Sequence, residues 1–281
     1  MTTVALTIDA HHHLWTADYG WLADPSLDAI RRDYTLDDLR GHLRAAGVDR
    51  TVLVEAGRGD DAETVEFLAL AAATPEIAGV VGWASLTDPA LAGTLAEHRS
   101  RPGGHLLVGV RDQVQAYPAS HLDRDDVRAG LRAVAAAGLV NELVVRPDQL
   151  PSVIRVVDAM PDGRFVLDHL GNPRVVAGAE GLRDWTTVAA QIAGRPHVVA
   201  KLSGLFAQAD WSGWAVADLR PFVETAVDLF GPSRLMFGSD WPVCEVAATY
   251  EQVMDAIVEI LGGRPAEIFA TTAISTYKLE I

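Results

Sequence analysis

Eight times along the chain a short, continuously apolar run is followed by a segment with helical periodicity. The runs fall at Val4–Ile8, Arg50–Glu55, Ile77–Trp83, His105–Arg111, Glu142–Arg146, Arg164–His169, His197–Ser203 and Arg234–Asp240. None alternates apolar with polar residues, so each reads as a parallel strand covered on both faces. The intervening helices are expected near residues 35–47, 61–73, 89–99, 124–137, 150–159, 182–192, 215–229 and 250–261, with a last helix over 266–277. Eight β-α units in roughly 250 residues predict a (β/α)8 barrel. An open doubly wound sheet is the rival, but no glycine-rich phosphate loop follows any strand. No linker or shift in composition divides the 281 residues, so one domain is expected.

Composition bounds what such a barrel can do. A net charge of −15 argues against a nucleic-acid partner, which needs a basic face. Hydrophobic residues at 49% and charged ones at 22% suit a globular protein without disorder. No run is long and apolar enough to span a membrane, and no signal peptide is evident. The single cysteine, Cys244, cannot form an internal disulfide, so a cytoplasmic location is expected. A homodimer is compatible with all of this, though no sequence feature locates an interface.

A parallel barrel brings the C-terminal ends of its strands to one face, where barrel enzymes do their chemistry. The strand ends here carry His11 and His13, Glu55, Trp83, Arg111, Arg146, His169, Lys201 with Ser203, and Asp240. Residues two apart on a strand share a side, so His11 and His13 should converge while His12 points away. Converging neutral imidazoles suit a divalent metal, and His169 and Asp240 are the residues to complete its ligand set. Asp240 is equally placed to act as a general base for water. Arg111, Arg146, Lys201 and Trp83, with Trp15 and the aromatic loop over residues 16–33, are candidates to grip a polar substrate. Glu55 could pair with Lys201, bind metal or face substrate. The remaining histidines (His42, His98, His105, His121 and His197) sit away from the rim. No nucleophile elbow surrounds Ser203, and Cys244 lies beyond the last motif, so covalent catalysis is not expected.

Four motifs carry a resemblance. They are Asp9-Ala10-His11-His12-His13-Leu14-Trp15, Val166-Leu167-Asp168-His169-Leu170-Gly171-Asn172-Pro173, Lys201-Leu202-Ser203-Gly204-Leu205 and Met236-Phe237-Gly238-Ser239-Asp240-Trp241-Pro242. In this order the chain resembles the amidohydrolase superfamily, and within it the amidohydrolase-2 branch of sugar-lactone hydrolases similar to L-fuconolactonase and L-rhamnonolactonase. The resemblance implies a distorted (β/α)8 barrel that opens a lactone ring with water activated by an aspartate. It assigns the His-x-His pair to His11 and His13, the sixth-strand histidine to His169 and the eighth-strand aspartate to Asp240. The superfamily's bridging lysine on strand four has no counterpart, since that strand ends in Arg111, so one zinc ion at most is implied, and a metal-independent lactonase stays open. A metal-dependent decarboxylase on the same fold, and a non-catalytic barrel that binds a small molecule, are the alternatives.

Overall fold

The structure, a computed structural model, describes residues 6–281. Its eight parallel strands are β1 Ile8–His12, β2 Arg50–Val54, β3 Ile77–Gly82, β4 Leu107–Asp112, β5 Val140–Leu143, β6 Phe165–Leu167, β7 Val198–Leu202 and β8 Leu235–Phe237. They pair in chain order from β1 to β8. The ring closes just beyond β8: the Asp240 amide donates to the His11 carbonyl (2.9 Å) and the His13 amide to the Trp241 carbonyl (2.7 Å). The barrel expected from the repeat is the one observed. Val4 and Ala5 of the first expected strand lie outside the described residues, and β1 instead begins at Ile8 and ends at His12, one residue before His13.

Eight helices follow the strands: α1 Leu36–Ala46, α2 Asp61–Ala72, α3 Leu91–Ser100, α4 Asp125–Ala136, α5 Leu150–Asp158, α6 Gly178–Ala193, α7 Val216–Phe230 and α8 Tyr250–Leu261. A short π-helical turn, Glu267–Thr271, leads into α9, Thr272–Tyr277. Thr35 opens α1 with a reciprocal capping box to Asp38, and Gly47 ends it in a left-handed conformation.

Alternation along the strands separates two cores. Leu53, Val80, Leu143, Phe165, Leu202 and Phe237 face outward and pack with the helices. Val52, Val108, Val140, Val166 and Met236 belong to a second cluster without any residue of α1–α8, which is the barrel interior. Ala273 and Tyr277 of α9 join that inner cluster and seal it from one end. No helix among the described residues is long and apolar enough to cross a membrane.

The segment between β1 and α1 folds into a flap. Trp15 and Tyr34 exchange main-chain hydrogen bonds at its base, and two 3-10 turns fill it. Leu22 and Ile30 are fully buried and anchor it to the body.

Candidate active site

The C-terminal rim surrounds a cavity of about 450 Å3 whose lining includes His13, His169, Arg111 and Asp240. Its floor is built from β1 and the turn after β8. His11 and His13 project to the same side, as strand alternation requires, with ring centroids 4.8 Å apart. His12 points away and bonds Thr51 Oγ1 at 3.0 Å. Asp9, buried beneath them, accepts from the amides of His11 (3.1 Å) and Ser239 (2.9 Å) and from the Tyr250 hydroxyl (3.0 Å). It thereby ties β1 to the turn that carries Asp240.

Two close approaches require glycine. A Cβ on Gly238 would lie 2.6 Å from that of His11. A Cβ on Gly204, which has φ +68°, would lie 2.5 Å from the His169 ring. His169 (φ 53°) and Asp240 (φ 58°) themselves adopt left-handed backbone, a strained conformation for residues with a Cβ. The surrounding hydrogen bonds hold both in place.

The resulting donor set is tight. His11 Nε2 lies 3.1 Å from His13 Nε2. Asp240 Oδ1 is 3.6 Å from the former, 3.5 Å from the latter and 3.9 Å from His169 Nε2. Four ligands at about 2.0–2.1 Å in a tetrahedron stand roughly 3.3 Å apart, so His11, His13 and Asp240 fit a zinc-sized divalent ion. The tautomer of His13 also fits: Nδ1–H donates to the Val54 carbonyl at 3.0 Å and leaves the Nε2 lone pair facing the cluster. Nδ1 of His11 faces both Lys201 Nζ (2.9 Å) and Asp168 Oδ1 (3.4 Å). The ring can accept from the ammonium or donate to the carboxylate, and the second arrangement frees Nε2 for a ligand bond. Burial, with the Lys201 charge beside it, holds His11 well below the usual imidazole range, and burial likewise lowers His169. Both are therefore neutral at pH 7. A second grouping of His11, Asp168 and His169 is less suited to an ion, because Asp168 is already held by two cations.

Beneath the floor lies a buried ionic layer. Arg111 reaches Glu55 through Nε, the Glu55 carbonyl through Nη2 (2.7 Å) and Asp168 through Nη1 (3.0 Å). Lys201 bonds Glu142 and lies 3.2 Å from Asp168. The Tyr277 hydroxyl donates to the other oxygen of Glu142. Burial alone would raise Asp168; the charges of Lys201 and Arg111, with a hydrogen bond from His11, outweigh it and hold the carboxyl well below the ordinary range. Burial and the Asp168 charge push Glu142 up to about 7.

This geometry corrects several expectations. Lys201 has no exposure and lies under the floor, so it cannot grip substrate, and its carboxylate partners are Glu142 and Asp168 rather than Glu55. Glu55 is spent on Arg111, the Gly57 amide and Gln113, which removes it as a ligand or substrate contact. Arg111 does line the cavity, but bound to two carboxylates it is no free cation. Arg146 lies three residues past the end of β5, where its guanidinium bonds Asp148 and the Tyr117 carbonyl outside the cavity. Trp83 follows β3 with its main chain on the Thr64 hydroxyl and does not line the cavity. Trp15 does, together with Trp21 of the flap, whose indole donates to the Ala56 carbonyl at 2.8 Å. Asp9, Glu142 and Tyr277 were not legible as site residues. Asp9 and Asp168 do sit in the histidine motifs, which is the one signal that pointed to them. Cys244 is buried and its thiol is pushed well up by that burial, in keeping with no covalent role.

The amidohydrolase family profile matches residues 8–268. The chain belongs to the amidohydrolase family. Among proteins of known name it is 39% identical over 269 residues to an L-fucono-1,5-lactonase of Burkholderia multivorans, covering 90% of this chain and 88% of that one. An L-fucono-1,5-lactonase of Burkholderia ambifaria is 31% identical, covering 86% of this chain and 82% of the relative. Among solved structures, an amidohydrolase from Burkholderia multivorans superposes with a TM-score of 0.90 at 35% identity, covering 98% of this chain and all of the other. That protein has been crystallised with bound HEPES and with bound zinc.

Proposed function

We propose that this amidohydrolase opens the lactone ring of a sugar acid, with Asp240 activating water. The observation that carries the reading is the convergence of one carboxylate and three imidazoles at the floor of a cavity sized for a monosaccharide lactone. The lactonase relatives agree in chemistry and suggest L-fucono-1,5-lactone as the first substrate to try.

Asp240 takes a proton from water, and the hydroxide adds to the lactone carbonyl. Ser203 Oγ lies 2.8 Å from His169 Nδ1; with the hydroxyl donating there, His169 carries its own proton on Nε2, where it can bond the carbonyl oxygen as charge builds. Collapse of the tetrahedral adduct breaks the bond between the acyl carbon and the ring oxygen. Asp240 then returns its proton to that oxygen, and the product is the open hydroxy acid. His11, His13 and Asp240 would hold a divalent ion, which when bound polarises the carbonyl. Trp15 and Trp21 cover the cavity and limit water to the attacking molecule.

Acid release from sugar 1,5-lactones, followed above the spontaneous rate in weak buffer, tests this directly. Catalysed release from L-fucono-1,5-lactone or an epimer is expected. If chelation abolishes it and zinc restores it, the His11–His13–Asp240 cluster works with metal; if release survives chelation, these side chains suffice. A chain that accelerates no lactone in such a panel contradicts the proposal.

A further inference from the structure

The cavity wall holds two chains of carboxamides whose polarity is fixed from the far end. In the first, Gln113 Nε2 donates to Glu55 Oε1, and Gln115 Nε2 donates to Gln113 Oε1 at 3.2 Å. A carboxylate engaged by Arg111 only accepts, so the Gln113 amino group must face it. Its carbonyl is then turned to Gln115, one of whose two N–H groups donates to it. In the second, Asn172 Nδ2 donates to the Val145 carbonyl at 2.9 Å, and Gln208 Nε2 donates to Asn172 Oδ1 at 3.3 Å. A main-chain carbonyl also only accepts, so the same logic orients this pair. Both chains end in a glutamine Oε1 at the cavity, and among the described residues neither oxygen has a protein partner. Gln115 and Gln208 both line the cavity, one on the β4 side and one on the β6–β7 side. Among the described residues Arg111 is the only cation lining it and is already paired, so the wall offers a substrate oriented neutral acceptors rather than a seat for a carboxylate.

We infer that Gln115 and Gln208 are specificity-determining residues that each read a substrate hydroxyl as a hydrogen-bond donor. The inference rests on the lactonase reading and adds to it which groups select the sugar. A site built to accept from a hydroxyl rejects an analogue that cannot donate, because its own oxygen is then left dry and unpaired.

The test compares parent sugar 1,5-lactones with analogues in which one ring hydroxyl at a time is replaced by hydrogen or by fluorine. Fluorine keeps the size and weak acceptor character of the hydroxyl but cannot donate. At two positions the deoxy and fluoro compounds should lose kcat/KM alike, by about 10- to 100-fold. The loss at one position should vanish in Gln115→Met and at the other in Gln208→Met, because the variant no longer distinguishes parent from analogue. Fluoro compounds that match the parent at every position overturn the inference, as do losses that persist in full in both variants. The wild-type comparison stands even if a variant folds poorly. Failure of the wild type on every parent lactone overturns the lactonase reading itself, a distinguishable result.

Discussion

Lys201 faces two carboxylates inside the barrel, Glu142 and Asp168, and lies 2.9 Å from His11 Nδ1. Removing the cation while leaving two buried carboxylates is the costly way to break such a layer, about 3–5 kcal/mol. Lys201→Met should therefore lower the urea midpoint sharply. A substrate-gripping lysine would instead raise KM and leave the midpoint where it was. Alternation along β7 turns Lys201 to the same side as Val199, toward the inner cluster. Its depth, and the identity of its partners, depend on the register that sets Ala200 beside Leu167 and Leu143 beside Leu167, and no local pattern carries that. The same limit hid the pairing of Arg111 with Glu55, 56 residues away in sequence. His11 and His13 were readable because their relation is local: two positions apart at the end of one strand.

The flap between β1 and α1 is held from outside the cavity by α2. The Tyr19 hydroxyl donates to Glu63 Oε1 at 2.8 Å, and the Ala56 amide donates to the same oxygen at 3.1 Å. Burial, reinforced by the nearby Glu55 charge, pushes Glu63 up to about 7. Between its ordinary value of 4.5 and 7 the native chain keeps a proton that the unfolded chain has lost, so this group makes stability fall as pH rises through that window. Glu63→Gln keeps the accepting oxygen and removes the titration. The variant should melt a few degrees above wild type at pH 8 and close to it at pH 5. An equal difference at both pH values would contradict the assignment. As sequence, residues 16–33 show only a long aromatic and acidic connection. Two buried anchors, Leu22 and Ile30, are too few to give a periodic signal, so the order of the flap is a tertiary effect.

At the scale of the whole molecule, the barrel was legible because parallel strands buried on both faces leave continuous apolar runs, and eight of them fix the closure. The candidate site was legible for the same reason, since closure gathers every strand end onto one rim. Side chains beyond the rim were not: β5 stops at Leu143, the chain bends, and Arg146 leaves the cavity for Asp148. The charged layer under the floor was also hidden, because an interior of paired ions and one of solvated rim residues use the same residue types. All of the chemistry proposed here passes through one carboxylate, held by the seam that closes the barrel. The most direct measurement is kcat for lactone hydrolysis by Asp240→Asn, with circular dichroism confirming the fold. A loss of about 10²- to 10⁴-fold is expected when the proton acceptor becomes an amide. Turnover within tenfold of wild type in a folded variant would contradict Asp240 as the base.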